Sequence, residues 1–125
     1  ILSISQGLGK HTREQWRALT PPQLKPAGDG FKPHYDPSIA VPFKAVTPEI
    51  AAAGEAMLWQ AYDRLRCQTL LLRGAESDLL THDTALEMSR RGPKARLHEF
   101  AGVGHAPMLV QPEQRKVVTD FLRAP

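Results

Sequence analysis

The sequence predicts an α/β chain built in two different ways along its length, and three observations carry this. Cys67-Gln68-Thr69-Leu70-Leu71-Leu72 is a near-continuous apolar run closed by Gly74, the pattern of a strand buried on both faces. Ala95-Arg96-Leu97-His98-Glu99-Phe100 alternates and reads as a second strand, and each run is followed by a loop and a helix signal. The third observation is the distribution of the 11 prolines, most of which precede residue 49 and mark the first part as irregular. Strand, helix, strand, helix in this order makes a parallel pair joined by a crossover, with helices covering the faces.

Taken in order, Thr12 is a candidate N-cap for a helix through Glu14, Gln15, Trp16 and Leu19, stopped by Thr20-Pro21-Pro22. From 20 to 48 the prolines imply irregular chain, with a tight turn at Gly28-Asp29-Gly30 and at most a helical turn near Pro37–Ala40. Thr47-Pro48-Glu49 opens a second helix whose apolar stripe is Met57, Leu58, Ala61, Tyr62 and Leu65, with Gly54 expected to divide it. After the first strand, which Cys67 opens as a small core residue, Thr81 caps a helix over His82–Arg91. Asp83 stands in its first turn, Arg90 and Arg91 in its last, and Gly92-Pro93 close it. Pro112 and Glu113 start a final helix with Val117, Val118, Phe121 and Leu122 as its buried stripe. The division is therefore 1–65, helical and irregular, and 66–125, strands and flanking helices.

Composition narrows the function classes. With 42% hydrophobic and 23% charged residues in 125, the chain is a globular type with room for one core. One cysteine excludes an internal disulfide framework and fits a reducing, cytoplasmic setting. The formal net charge of +3 comes from scattered Lys and Arg without interleaved aromatics, which argues against nucleic-acid binding, and no stretch has membrane-spanning length. No signal-peptide pattern follows Ile1, so the start reads as an artificial or processing boundary. Two strands do not make a stable parallel sheet alone. The expectation is a fragment, or a chain that completes its sheet with a missing N-terminal half or another chain, including a copy of itself through its open strand edge.

Two residues carry candidate chemistry. Asp78 lies in Gly74-Ala75-Glu76-Ser77-Asp78 after the first strand, and His105 lies in Gly102-Val103-Gly104-His105-Ala106-Pro107 after the second. Parallel strands put both loops at one end of the sheet, where such folds place catalytic groups. A carboxylate that accepts from one imidazole nitrogen leaves the other to act as a base. Taken singly, Asp78 also fits a turn acid and His105 a half-buried loop residue. Glu76 and Ser77 are expected to shape the acid loop, with Glu76 a substitute acid. His11, His34, His82, His98 and Cys67 show no metal-ligand spacing, and no cofactor or metal is implied.

These two loops, in this order, resemble the C-terminal end of an α/β-hydrolase. The resemblance implies a partial α/β-hydrolase core over 66–125 and a lid or cap segment with its return helix over 1–65. It implies that Asp78 is the catalytic acid and His105 the catalytic histidine of an esterase-like enzyme cleaving ester or activated carbon–carbon bonds. Trp16, Phe31, Trp59 and Met108 are candidate substrate-lining residues under the lid. The family's Gly-x-Ser-x-Gly nucleophile elbow is absent, and Ser3-Ile4-Ser5-Gln6-Gly7 echoes it only superficially. The nucleophile is therefore expected upstream, and this chain alone is expected to be inactive. An aspartate there would make the enzyme a dehalogenase or epoxide hydrolase. A rival expectation is a non-catalytic binding or assembly module derived from a hydrolase.

Overall fold

The computed structural model describes residues 10–124. Eight principal elements run in the order α1 (Arg13–Leu19), β1 (Leu24–Ala27), β2 (Gly30–Pro33), α2 (Pro48–Asp63), β3 (Leu70–Gly74), α3 (His82–Arg90), β4 (Arg96–Phe100) and α4 (Pro112–Arg123). The described residues fall into two compact units, one of residues 12–60 and one of residues 10–11 with 61–124.

In the 12–60 unit, local chemistry makes the structure. Thr12 and Gln15 form a reciprocal capping box at the start of α1: the Thr12 oxygen accepts from the Gln15 amide at 3.2 Å, and the Gln15 side chain accepts from the Thr12 amide at 2.9 Å. The segment expected to be irregular contains an antiparallel hairpin, β1 with β2, whose pairs include Pro26↔Phe31 and Leu24↔Pro33. Pro26 and Pro33 hid it, because proline donates no ladder hydrogen bond; a two-stranded sheet has outward-facing edges that tolerate this. The turn falls at Gly28-Asp29, with Gly28 at φ +57°. Asp36 caps the 3-10 turn Pro37–Ala40 by accepting from the Ser38 amide at 2.9 Å, and further 3-10 turns lie at Pro21–Gln23 and Pro42–Ala45. Helix α2 is continuous through Gly54, contrary to the expected break. One glycine costs about 1 kcal/mol in a helix, and the alanines on either side and the long run of helix formers offset it.

In the second unit, β3 and β4 pair in parallel from Leu70↔Arg96 to Gly74↔Phe100. The strand starts at Leu70 rather than Cys67, and Cys67 is exposed instead of buried. The chain needs residues 64–69 to leave α2, whose end is closed by Arg66 donating to the carbonyls of Asp63 and Leu65. Thr81 caps α3 by accepting from the Thr84 amide at 3.1 Å. Gly92 follows at φ +55°, and a side chain there would also strike the Tyr62 carbonyl. Tyr62 donates to the Met88 carbonyl at 2.7 Å, and Arg91 holds Asp63 with two bonds of 2.8 and 2.5 Å. These contacts bind the end of α2 to α3.

Among the described residues the buried apolar set is Ala85, Ala95 and Phe100, joined by Arg73 and Gln114. Leu70, Leu71 and Leu72 are only half-buried, because β4 alone pairs with β3 among the described strands. Leu122, expected in the buried stripe of α4, is 74% exposed, whereas Gln114 of the same helix is buried. No described helix is long and apolar enough to cross a membrane.

Candidate active site

The loops that follow β3 and β4 are bound to one another through their backbones. The Ala75 amide donates to the Phe100 carbonyl and the Glu76 amide to the Val103 carbonyl, each at 2.9 Å. The glycine before them makes this possible. A Cβ built on Gly74 would collide with the carbonyl oxygens of Val103 and Gly104. The requirement is close approach, with no unusual backbone angle.

This contact brings His105 to the acid loop, but to Ser77. The His105 Nδ1 lies 3.0 Å from the Ser77 Oγ, and the Leu80 amide donates to the same Oγ at 3.1 Å. The Ser77 amide in turn donates to the Gly74 carbonyl at 3.0 Å. Asp78 is exposed, and no hydrogen bond joins it to His105 among the described residues. The two partners differ in chemistry. A carboxylate only accepts, so it requires a proton on Nδ1 and frees the Nε2 lone pair. A hydroxyl either accepts from Nδ1–H or donates to a bare Nδ1, so Ser77 holds the ring in place without choosing its tautomer.

Behind the acid loop lies a buried arginine that sequence reasoning missed. Arg73 is 6% exposed. Its Nε donates to the Leu80 carbonyl at 2.7 Å and its Nη1 to the Ala75 carbonyl at 3.3 Å and to the Glu99 Oε2 at 2.5 Å. The same Glu99 oxygen lies 3.1 Å from the His82 Nδ1. Hydrogen bonds from His82 and Arg73 hold the Glu99 carboxyl below the usual carboxylate range. The available signal was the register, which sets Arg73 opposite Glu99 on neighbouring strands. Beyond His105, the His105–Ala106 peptide is cis and Leu109 sits at φ +55°. Arg115 donates to the carbonyls of Leu109 and Val110 and ties this loop to α4.

The expected substrate-lining residues do not share one unit. Trp16, Phe31 and Trp59 belong to the 12–60 unit, Trp16 and Trp59 half-buried and Phe31 73% exposed. Met108 belongs to the other unit and lines a cavity of about 170 Å³ with Lys10, His11, Ala101, Gly102, Val103, Gln111, Glu113 and Gln114. Neither Ser77 nor His105 lines it. The hairpin bears a larger concavity, about 440 Å³, whose lining includes Lys25, Lys32 and Tyr35 but no histidine or nucleophile. Among the described residues no group of three or more His, Cys, Asp or Glu is placed to hold a metal. Ser3-Ile4-Ser5-Gln6-Gly7 lies outside the described residues.

A fold of parallel strands with flanking helices and a histidine loop at the strand ends defines a class, and known proteins agree with it. A solved α/β-hydrolase from Novosphingobium aromaticivorans superposes with a TM-score of 0.73 at 30% identity, over 97% of this chain and 42% of that one. A structure from Rickettsia typhi superposes with a TM-score of 0.75 at 27% identity, over 97% of this chain and 39% of that one. The chain has the fold of the α/β-hydrolases, and the coverage is that of a portion of that fold. Among curated proteins it is 46% identical over 125 residues to a 3-hydroxybutyrate-oligomer hydrolase of Cupriavidus necator, covering 97% of this chain and 43% of that protein. The chain thus spans less than half the length of the relatives it matches. No family model matches it.

Proposed function

We propose that this chain is the C-terminal part of an esterase-like α/β-hydrolase and supplies its histidine base and that base's orienting loop. The observation that carries the reading is the 3.0 Å contact between the acid loop and His105 Nδ1, which holds the ring by that nitrogen; with the proton on Nδ1, Nε2 is the base. A hydroxyl nucleophile from the segment upstream gives its proton to Nε2 as its oxygen attacks the ester carbonyl. The protonated ring then returns that proton to the departing alcohol, and water repeats the cycle to free the acid. Asp78 is the acid assigned to stabilise the imidazolium, and the Ser77 contact holds the ring against the acid loop. The substrate class is an oligoester of short hydroxy acids, a reading supported by the name of the Cupriavidus necator relative. The isolated chain lacks the nucleophile elbow and is inactive.

Cleavage of a short 3-hydroxybutyrate oligomer, followed as acid release by the intact protein, tests this. His105→Ala is expected to lower the rate by on the order of 10³-fold or more, Asp78→Asn by about 10²- to 10⁴-fold, and Ser77→Ala by about tenfold. A His105→Ala variant with the parent rate overturns the reading. A silent Asp78→Asn with a disabling Ser77→Ala moves the orienting role to Ser77.

A second reading rests on the half-exposed leucines of β3. A chain that leaves strand edges open also suits an assembly module, completed by the missing half or a second copy. A monomeric mass with slow amide exchange at Leu70–Leu72 removes self-pairing from consideration.

A further inference from the structure

We propose that Arg73 is a positioning residue for His105, acting through Leu80 and Ser77, with Glu99 and His82 holding its guanidinium in place. The positional claim stands on geometry; its catalytic meaning rests on the hydrolase reading above. Ala75 and Leu80 are the two ends of the acid loop, and Arg73 binds both carbonyls at once. Leu80 is engaged on both sides, its carbonyl by Arg73 Nε at 2.7 Å and its amide by Ser77 Oγ at 3.1 Å. Ser77 Oγ then meets His105 Nδ1 at 3.0 Å. Three hydrogen bonds, joined through the backbone of Leu80, therefore link a buried cation to the candidate base.

The cation is itself held by a built support. Glu99 projects from the strand-end position directly opposite Arg73 and takes a 2.5 Å bond from its Nη1. The same oxygen meets His82, the first residue of α3, so the carboxylate also joins the strand to the helix that follows the acid loop. A guanidinium suits this place because its rigid fork reaches two carbonyls and a carboxylate in one plane. Lysine carries the same charge without the fork. Arg73 is close to fully buried, so losing a partner leaves polar groups unpaired where water does not readily replace them.

The test compares Arg73→Lys and Glu99→Gln with the parent in the intact protein, by amide hydrogen exchange and by the nitrogen-15 chemical shifts of the His105 ring, which report the bonding of its nitrogens. Arg73→Lys is expected to speed exchange of the Leu80 amide by about tenfold, relative to the Leu70–Leu72 amides, and to shift the nitrogen-15 signals of the His105 ring. Glu99→Gln keeps both carbonyl bonds and is expected to act in the same direction by about threefold, and it carries the test if Arg73→Lys fails to fold. Faster exchange at Leu80 with unmoved His105 ring signals makes the arginine merely structural and overturns the proposal. So does an unchanged Leu80 amide, or a rise shared equally by Leu70–Leu72. None of these readouts needs a substrate, so a parent protein without ester cleavage sinks the hydrolase reading and leaves the clamp to be judged separately.

Discussion

The 12–60 unit and the unit around β3 and β4 are ordered by different physics. In the first, every residue from Pro26 to Leu58 is exposed, and the hydrogen bonds that shape it run from caps a few positions apart to the hairpin bond between Gln23 and His34. In the second, Ala85, Ala95, Phe100, Arg73 and Gln114 are buried, and the decisive bonds join residues 26 to 28 positions apart, such as Arg73–Glu99, Arg91–Asp63 and Ser77–His105. Their acids show the same contrast. Asp36 is held below its usual range by its own turn through Ser38, whereas Asp63 is held there by Arg91 and Glu99 by His82 and Arg73. A functional site needs the second kind of order, because only distant contacts fix one loop against another.

If that distinction is right, the largest effect comes from the point where the two loops touch. Gly74→Val drives a side chain into the Val103 and Gly104 carbonyls, so the loops must part or the strands shift. The expected cost is on the order of 3 kcal/mol, read as a lowered thermal midpoint with loss of amide protection at Ala75 and Glu76. A variant that melts with the parent breaks the comparison at its centre.

Acidification sharpens it at intermediate size. A carboxyl whose folded pKa is depressed stabilises the fold above its ordinary pKa and loses that contribution as the pH falls through the folded value. Glu99 and Asp63 are both depressed, so the second unit is expected to lose stability below the ordinary carboxylate range, with its ion pairs to Arg73 and Arg91 dissolving. Both groups are solvent-accessible, so the loss is modest and further reduced by salt. Denaturant midpoints of the parent and of Glu99→Gln, taken from neutral pH downward, check this. An equally steep acid loss in both proteins removes Glu99 from the explanation.

The smallest effect belongs to the local unit. Thr12→Ala removes one side of the capping box and is expected to cost α1 about 1 kcal/mol. Amide exchange should quicken in residues 14–16 and stay unchanged at Leu70–Leu72. Spread of the effect to β3 argues against locally determined order in residues 12–60.

Much of this is legible in the sequence. The caps at Thr12 and Thr81, the strand–helix–strand–helix order and the terminal helix at Pro112 follow from neighbours in sequence and appear in the structure. The hairpin was illegible because Pro26 and Pro33 erase the strand pattern, and Cys67 was misplaced because the register of β3 is chosen by β4. The acid and histidine loops were likewise legible as loops, from their glycines and the runs before them. Which side chain meets His105 was not.

By itself the sequence determined local structure and the two chemistry-bearing loops, since capping, turn formation and hydrophobic patterning act over a few residues. Tertiary structure alone decided that Gly74 lets the loops touch, that Arg73 is buried beneath them, and that Ser77 rather than Asp78 occupies the Nδ1 position. Asp78 and Ser77 are adjacent residues in one loop, Asp78 exposed and Ser77 half-buried. Which of them faces the imidazole depends on a loop orientation set by contacts nearly 30 residues away, such as the 3.0 Å one from Ser77 to His105, and no local pattern encodes that.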